Sequence, residues 1–537
     1  METKKLFMYG VMSGLTLSVL AGCGGGSGSE GGASENGGDS SQLQAVFLKH
    51  PLTKDINEMQ WLNEAEETAG VDINWEQVTA DWDQKVGPML SAGDLPDLIV
   101  GAGGINDSQH QQFKGMFIDF SEHLDQLPNV QQLFENKPEA EALATTLDGE
   151  IFGLPKYQRF WPTSATKQFI NQDWLDNLGL EMPTTWDELH EVLLAFKEQD
   201  ANGNGDPNDE IPFDWSPVGT GGFGFFQPTV LLASTGITPV GGGGQGYFLE
   251  DGEVKNFFTD ERYKEFMVFM NKLYADGLIN SEVFTQEYTA YQSLGRGEGD
   301  VGKIGYTFGW EASDRFGSEL AGQYSSMAPL RVSEDYDSDP SWSYDFYNLN
   351  YGTNMIQIAA DTENLDGALA FVNELYAEET SMQVLFGDLG TNIEDKGDGS
   401  YAVLPPEDES MDPGTWKWTS TWADNGPMYI RDDLDLELGE DMSATLEQLE
   451  PLDATLEAID TEQDVLPGSF LKYTTDDINT MSLNNTDMIN TAITYFGQWI
   501  TEGGVEEQWD QYVSEIEGSG IDQTLEIMQE AYDNYSN

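Results

Sequence analysis

The chain has 537 residues, of which 39% are hydrophobic and 12% aromatic, so we expect two or more domains with sizeable cores. Its 96 acidic and 23 basic residues give a formal net charge of −73, which argues against nucleic acid or an anionic membrane surface as a partner. A charge of this size repels itself in the compact state and indicates an acidic proteome adapted to high salt, where screening weakens the repulsion.

Residues 1–22 have the pattern of an export signal. Two lysines precede an apolar run, Leu6–Leu20, that is too short to span a membrane. The run ends in "LAGC" (Leu20–Cys23), which resembles the bacterial lipobox, whose cysteine becomes the lipid-bearing first residue of the mature protein. A plain secretion signal with an unrelated cysteine is the alternative. Cys23 is the only cysteine, so it cannot form an internal disulfide.

Residues 23–42 predict a flexible tether. The stretch Gly24–Gln42 is rich in glycine and serine, and Ala33 is its only apolar residue. Its r.m.s. reach is roughly 25 Å. With a lipid on Cys23, it would hold the folded part at the cell surface, against the outer face of the cytoplasmic membrane. We expect the anchor to be the only membrane contact, because no later segment has the pattern of a transmembrane helix.

The residues after the tether alternate between strand and helix patterns. Leu43–Pro51, Val71–Val78 and Pro96–Gly101 have the apolar patterns of strands, and Thr53–Gly70 and Asp81–Gly93 have those of helices. This alternation predicts a mainly parallel α/β layer.

Further helices and one strand are predicted downstream. Thr185 and Glu188 predict a capping box at the start of an amphipathic helix. Gly299–Ala312 predicts a strand that ends near Trp310, and the acidic segment Arg431–Asp464 predicts exposed helical structure. The remaining predicted helices are 257–278, 364–387, 485–504 and 521–537.

Four motifs occur together in this order: "GVDINWEQV" (Gly70–Val78), "SAGDLPDLIV" (Ser91–Val100), "LDGEIFGLP" (Leu147–Pro155) and "PTTWDEL" (Pro183–Leu189). After a lipobox, they resemble the extracellular solute-binding proteins of ABC transporters that import oligosaccharides, in particular the large lipoproteins of Gram-positive bacteria. The resemblance runs from about Val46 to the C-terminus and is densest up to residue 213.

The resemblance implies an α/β, two-lobed periplasmic-binding-protein-like fold of type II. Each lobe would be a mixed or parallel sheet flanked by helices, with a hinge between the lobes. The first lobe would comprise 43–165, completed by about 350–430, and the second 166–349 with parts of 431–537. The implied protein is a monomeric substrate-binding component, not an enzyme, that captures an oligosaccharide in the cleft and delivers it to membrane permease subunits.

Sugar recognition needs flat apolar faces and polar side chains. Packing inside a lobe is the alternative for every aromatic candidate, and Trp161 and Trp310 are the strongest candidates for the cleft. The aromatic candidates for substrate binding lie in irregular segments or near the expected crossovers, and they are Tyr157, Trp161, Trp215, Trp310, Trp342, Tyr344 and Trp418. Lys49 and Arg159 are added as substrate-binding candidates because basic residues are scarce in this chain.

Basic residues are scarce, yet Lys156, Arg159 and Lys167 lie close together in the chain. A cationic cleft would bind uronate sugars through charge-assisted hydrogen bonds. Internal pairing with aspartate or glutamate is the favoured alternative, because acid is in large excess.

The stretch "DANGNGDPNDE" (Asp200–Glu210) resembles the first half of an EF-hand loop, with oxygen ligands at alternate positions and Gly205 at the sixth. Ile211 stands where the bidentate glutamate belongs. An Asx-rich turn is the alternative. The sequence predicts a structural Ca²⁺ site with the ligands Asp200, Asn202, Asn204, Asp206, Asp209 and Glu210.

Signals for catalysis are weak. The glycine-rich segments Gly219–Gly224 and Gly241–Gly246 do not follow a strand and open a helix, so they do not predict a dinucleotide site. The four histidines are too scattered to indicate a zinc site, and 96 acidic residues make paired carboxylates uninformative. A surface glycosidase or lyase, and a carbohydrate-binding surface protein without a role in transport, are the alternative functions.

Overall fold

The computed structural model describes residues 42–50, 53–79, 82–206, 208–219, 221–297, 299, 301–397, 399–406, 416 and 421–536. All of them belong to one compact unit, Ser41–Asn537. Within these ranges no helix has both the length and the apolarity that crossing a bilayer requires. The predicted signal peptide, Cys23, the tether up to residue 41 and Trp418 lie outside the described residues.

The strands are short and distributed along the chain. In chain order they are β1 (Gln42–Leu48), β2 (Asp72–Val78), β3 (Leu98–Val100), β4 (Leu154–Tyr157), β5 (Lys167–Asn171), β6 (Ile211–Phe213), β7 (Tyr247–Glu250), β8 (Glu253–Asn256), β9 (Ile304–Gly309), β10 (Tyr324–Ser326), β11 (Tyr351–Ile358), β12 (Ile393–Asp395), β13 (Ser400–Val403) and β14 (Asp435–Glu437).

The α-helices alternate with these strands and then close the chain. In order they are α1 (Gln60–Ala69), α2 (Trp82–Ala92), α3 (Asp107–Gln112), α4 (Pro128–Asn136), α5 (Pro138–Ala144), α6 (Gln172–Leu178), α7 (Trp186–Glu198), α8 (Glu261–Ala275), α9 (Tyr288–Gly295), α10 (Ala312–Phe316), α11 (Phe346–Asn350), α12 (Leu365–Leu375), α13 (Glu378–Phe386), α14 (Glu440–Glu447), α15 (Glu450–Ala458), α16 (Thr475–Glu502), α17 (Val505–Gly518) and α18 (Ile521–Ser536).

The first sheet has the strand order β2-β1-β3-β11-β4. β1 is parallel to β2 and β3, and β11 is antiparallel to β3 and β4. Along β1, Leu43, Ala45 and Phe47 enter one core while Val46 enters another on the opposite face. Both faces are therefore covered, as is usual where parallel strands are joined by helices.

The second sheet has the order β10-β5-β9-β6. β5 is antiparallel to β9 and β10, and β6 is parallel to β9. Its core also takes up buried side chains from the C-terminal helices, such as Leu452, Trp499 and Ile516. Because each large sheet has its own core, the protein is a two-lobed α/β fold, and the predicted fold class is confirmed.

Most predicted elements agree with the structure, with local differences. The first strand begins at Gln42, one residue inside the predicted tether. The helix predicted over 257–278 is a short 3-10 turn followed by α8. Arg431–Asp464 is only partly exposed helix: it contains β14, and Leu452 is fully buried.

The cap of α7 differs from the predicted capping box. Thr185 Oγ1 accepts the N–H of Glu188 over 3.2 Å, as expected. The Glu188 carboxylate, however, accepts the N–H of Thr184 over 2.8 Å and its hydroxyl over 2.7 Å. The side chain therefore reaches one residue further back and satisfies a donor outside the cap residue itself.

Candidate functional site

Trp161 lies in the segment that follows β4 of the first sheet. Its N–H donates to Asn350 Oδ1 over 3.1 Å, and Asn350 Nδ2 donates back to its carbonyl over 3.1 Å. The indole Nε1 donates to Asp424 Oδ1 over 2.5 Å. Asn350 directly precedes β11, the strand with which the chain returns to the first sheet. These hydrogen bonds therefore link Trp161, in the segment that leaves the first sheet, to the segment that returns to it.

Trp310 directly follows β9 of the second sheet. β9 is buried along its whole length, which fixes the direction of the chain at its end. The carbonyl of Trp310 accepts a hydrogen bond from Lys167 Nζ over 2.7 Å. The same Nζ lies 5.1 Å from the centre of the Trp310 ring, within the range of a cation–π contact.

The two indoles meet edge to face. Their ring centres are 5.7 Å apart, and their planes make an angle of 76°. Both side chains are partly exposed. Since Trp161 follows a strand of the first sheet and Trp310 one of the second, this pair is a contact between the two lobes.

Charged groups surround the pair and are themselves bonded. Lys156 Nζ donates to the Asp424 carbonyl over 2.9 Å and to its Oδ1 over 3.3 Å, so this carboxylate serves both Lys156 and Trp161. Burial lowers the pKa of Lys167 to about 7, although the carboxylates of Glu311 and Asp345 favour its charged form. Glu311 Oε1 accepts from Gln448 Nε2 over 2.9 Å.

The basic candidates donate mostly to main-chain oxygens. Arg159 is exposed and donates to the Leu434 carbonyl over 2.5 Å. Lys49 is half-buried and donates to the Lys54 carbonyl over 3.1 Å. Lys156 forms an ion pair with Asp424. Such internal pairing is what we expect if the basic residues do not form a uronate site.

Trp215 and Trp342 are corrected to core residues, because each is 0% exposed and offers no surface to a sugar. Trp215 packs edge to face on Phe213 with ring centres 5.0 Å apart. Trp342 Nε1 donates to the Thr166 carbonyl over 2.8 Å.

The two candidate tyrosines also pack within the protein. Tyr157 is 1% exposed and is corrected to a core residue, since its hydroxyl donates to Asp432 Oδ1 over 2.5 Å and burial raises its pKa. Tyr344 is half-buried against the core of the second sheet, and its N–H donates to the Pro239 carbonyl over 3.0 Å.

Sequence reasoning missed Asp424 and Asn350. Asp424 follows a tryptophan-rich segment, but with 96 acidic residues in the chain nothing distinguished it from the others. Asn350 precedes the strand that returns to the first sheet, and an asparagine at a crossover was the only available signal.

The acidic loop Asp200–Glu210 connects α7 to β6. Its side chains bond to one another: Asn202 Nδ2 donates to Asp209 Oδ1 over 3.0 Å, and Asn204 Nδ2 donates to Asp209 Oδ2 over 2.8 Å. Asp200 Oδ2 accepts the N–H of Gly205 over 2.9 Å. Both carboxylate oxygens of Asp209 are thus directed into the loop.

Two carboxylate oxygens in this loop are buried without a hydrogen-bond partner among the described residues, Asp200 Oδ1 and Glu210 Oε2. Burial also raises the pKa of Glu210. Buried carboxylate oxygens are normally satisfied by donors or by a cation, so this donor set fits a hard, oxygen-seeking ion. Across the described ranges, no three His, Cys, Asp or Glu side chains are grouped so as to hold a metal, so a site here needs amide or main-chain oxygens.

Comparison with known proteins identifies the family of the chain. Residues 39–382 match the family model described as bacterial extracellular solute-binding protein. The fructooligosaccharide ABC transporter substrate-binding protein FusA of Streptococcus pneumoniae is 29% identical over 517 residues, covering 92% of this chain and 90% of FusA.

Solved structures that resemble the chain are also solute-binding proteins of ABC transporters. A solute-binding protein described as HMO-binding and ABC-transporter-associated, from Bifidobacterium longum infantis, superposes with a TM-score of 0.86 at 30% identity, covering 92% of this chain and 99% of that one. FusA in complex with kestose superposes with a TM-score of 0.78 at 27% identity, covering 92% and 99% of the two chains.

Proposed function

The chain belongs to the bacterial extracellular solute-binding proteins, and we propose that it holds an oligosaccharide between its lobes at Trp161 and Trp310. It is a substrate-binding component of a carbohydrate ABC importer, so the sugar passes to membrane permease subunits. The prediction that it is not an enzyme is confirmed by the function of its relatives.

The proposal rests on the contact between Trp161 and Trp310. Indole rings supply the flat apolar faces on which sugar rings stack, and partly exposed indoles do so with little loss of conformational entropy. Asp424 beside Trp161 supplies carboxylate oxygens that accept hydrogen bonds from sugar hydroxyls. A ligand at this pair touches both lobes at once and so favours their closed arrangement.

The lobe boundaries are part of this proposal. The first lobe comprises 43–165 and about 350–430, and the second comprises 166–349 with parts of 431–537. The strand order supports this division, because β11 pairs with β3 and β4, whereas β5, β6, β9 and β10 pair among themselves.

Calorimetric titration tests the function. FusA was solved with kestose, its EF-hand mutant was solved with fructo-nystose, and the Bifidobacterium relative is described as HMO-binding. We therefore choose kestose, nystose and neutral milk tetrasaccharides as first ligands, with tri-galacturonate as the acidic comparison. We expect saturable binding of at least one sugar in 1 M NaCl with calcium, and chromatography should recover that sugar unchanged. Absence of binding across the whole panel, or cleavage of a bound sugar, would contradict the proposal.

We also propose that the acidic loop binds one structural Ca²⁺ through oxygens of Asp200, Asn202, Asn204, Asp206, Asp209 and Glu210. The buried, unpartnered oxygens of Asp200 and Glu210 support it. So does the existence of a FusA EF-hand mutant, a variant of a protein 27% identical to this chain. Binding would draw these carboxylates together around the ion, which would neutralise their charge and hold the loop between α7 and β6.

Chelation tests the calcium site. EDTA should lower the melting temperature of the wild type, and added calcium should restore it. Glu210→Gln should abolish this response, while Asp206→Asn should keep it, because residue 206 occupies the position at which an EF-hand uses the main-chain carbonyl. An EDTA response that is equal in wild type and Glu210→Gln would remove the site.

The lipid anchor on Cys23 is a further part of the proposal. It is supported by the sequence "LAGC" and the tether that follows it. Growth with radiolabelled palmitate should label the wild type and leave Cys23→Ala unlabelled, and a wild type that takes up no label would contradict the anchor. Sedimentation of the tether-free protein should give the mass of a monomer.

A further inference from the structure

A cavity of about 430 Å³ lies beside the N-terminal half of α16. None of the residues that line it carries a charged side chain, although 22% of the chain's residues are charged. A charged ligand would find no counterion in these walls, so the lining favours a neutral one. The lining residues include Gly221, Gln245, Tyr473, Ser482 and Asn485.

The polar groups of the cavity are held in place by neighbours. Asn485 Nδ2 donates to Gln245 Oε1 over 2.7 Å, and Asn485 Oδ1 accepts from the Tyr247 hydroxyl over 2.6 Å. The Gln245 carbonyl accepts from Asn256 Nδ2 over 2.9 Å. Amides and hydroxyls fixed in this way, beside the ring of Tyr473, are the combination that binds sugar hydroxyls and sugar ring faces.

One wall is made by the two glycine-rich loops, which pack against each other. The N–H of Phe223 donates to the Gly244 carbonyl over 2.8 Å. A Cβ on Gly222 would lie 2.6 Å from that carbonyl oxygen, and one on Gly242 would lie 2.2 Å from the Gly224 carbonyl oxygen. Glycine is therefore required by the close approach of the two backbones, and the wall they form is compact.

One lining residue of the cavity, Gly221, belongs to the segment that follows β6, and β6 is the neighbour of the strand that leads to Trp310. β6 and β9 are parallel neighbours, with Phe213 paired to Tyr306, so the segments that follow them leave the sheet on the same side. Trp310 directly follows β9, and Gly221 belongs to the segment after β6.

The cavity also borders the line where the lobes meet. Gln111 of α3 follows the first sheet's β3, and its Oε1 accepts from Thr475 Oγ1 over 2.5 Å. Its Nε2 donates to the carbonyl of Tyr473, which lines the cavity, over 3.5 Å. One wall of the cavity is therefore in contact with an element that follows the first sheet.

We propose that the cavity is an outer subsite that takes one uncharged sugar unit of an oligosaccharide whose other units lie at Trp161 and Trp310. The inference rests on the proposed function and deepens it by assigning a neutral ligand. The volume lies at the lower end of the range for small-molecule pockets, which suits a single sugar ring rather than a whole oligosaccharide.

Filling the cavity tests the subsite. Ser482 lines it from the exposed side of α16, so Ser482→Trp would occupy the space without removing a core residue. Leu483 is its neighbour on the same helix, is 73% exposed and does not line the cavity, so Leu483→Trp is the matched control. The probes are tri- to hexasaccharides of the fructooligosaccharide and neutral milk series, with oligogalacturonates of the same lengths.

We expect the affinity of the wild type to rise with chain length in a neutral series. Ser482→Trp should lower the affinity for the longest sugar about tenfold, the effect of losing one or two hydrogen bonds, and leave that for the trisaccharide within about twofold. Leu483→Trp should match the wild type throughout.

The outcomes separate the subsite from the function. The subsite is overturned if Ser482→Trp binds neutral sugars of every length as tightly as the wild type does. It is also overturned if the variant loses affinity by the same factor for every length. In both cases the proposed function stays intact. Oligogalacturonates that show the same length-dependent loss overturn its neutrality. A wild type that binds no sugar of any series overturns both proposals.

Discussion

Trp310 and Trp215 follow neighbouring parallel strands of the second sheet, yet their surroundings differ. Trp310 is partly exposed, and its ring centre lies 5.7 Å from that of Trp161 in the other lobe. Trp215 is 0% exposed and packs against Phe213 and Phe284, at 5.0 and 6.1 Å. One edge of the sheet therefore supplies one indole to the lobe contact and another to the core.

A buried ion pair joins the two segments. Asp214, next to Trp215, accepts from Arg315 Nη2 over 3.0 Å, and these side chains are 0% and 1% exposed. Arg315 belongs to α10, which begins two residues after Trp310, and its Nη1 also donates to the Tyr291 carbonyl over 2.7 Å. The layer packed behind a strand end, rather than the strand end itself, thus decides whether an aromatic residue can meet a ligand.

The largest expected effect is a loss of stability that distinguishes Trp215 from Trp310. Trp215→Ala should lower the free energy of unfolding by about 3–5 kcal/mol, because it opens a cavity in the core. Trp310→Ala should lower it by less than about 2 kcal/mol, since part of its ring is already in water. Urea unfolding of both variants measures the difference, and equal losses would show that the two residues are not distinct.

The second-largest loss of stability is expected when the ion pair between Asp214 and Arg315 is broken. Arg315→Met leaves the Asp214 carboxylate buried without its cation, so we expect a loss of about 3–4 kcal/mol. Adding Asp214→Asn should recover more than half of that loss, because the uncompensated charge is removed. A double-mutant cycle by urea unfolding measures this, and additive losses in the double variant would argue against coupling between the two segments.

The lysine beneath Trp310 predicts a pH dependence that Trp215 does not share. Burial lowers the pKa of Lys167 to about 7 from an ordinary 10.5, so between these values the unfolded chain holds a proton that the folded chain has released. Stability from this group therefore rises with pH across that window, and its full penalty is present below pH 7.

The variant Lys167→Met removes this titration. From pH 7 to 10 the wild type should gain stability relative to the variant, by at most a few kcal/mol at ~1.4 kcal/mol per pKa unit. Chemical unfolding of both proteins at each pH measures the difference. Parallel profiles for the two proteins would mean that Lys167 keeps its ordinary pKa.

The smallest expected effect concerns Trp161. Trp161→Phe keeps an aromatic face but removes the hydrogen bond from Nε1 to Asp424. Sugar affinity should fall about threefold to tenfold, which corresponds to about 0.7–1.4 kcal/mol, the net value of one ordinary hydrogen bond. Calorimetry with the tightest neutral ligand measures it, and a loss as large as that of Trp161→Ala would mean that stacking contributes little.

The elements and the family were predictable because their signals are local. The alternation of strand and helix in residues 43–101 and the helix after Thr185 depend on periodicity and capping, which the chain itself displays. Trp161 and Trp310 were the strongest aromatic candidates, and the structure brings them together. Their roles in sugar binding stay predictions.

The rest depends on contacts between residues far apart in the chain. Trp215, Trp342 and Tyr157 lie in irregular segments or near strand ends, as Trp161 does, and only the packing of distant elements buries them. Asp424 reaches the site from a segment 263 residues beyond Trp161 in the chain. No local pattern in the sequence carries that information.

The affinity of Trp310→Ala for the tightest neutral oligosaccharide tests the central claim most directly. Tyr288→Ala is the control, because Tyr288 is 49% exposed on α9 and has no contact with Trp161 or Trp310 among the ring contacts of the described residues. Calorimetry should show affinity reduced at least about tenfold in Trp310→Ala, the loss expected of a central aromatic anchor, and unchanged in the control. Wild-type affinity in a folded Trp310→Ala protein would contradict the claim that the sugar is held at the contact between the lobes.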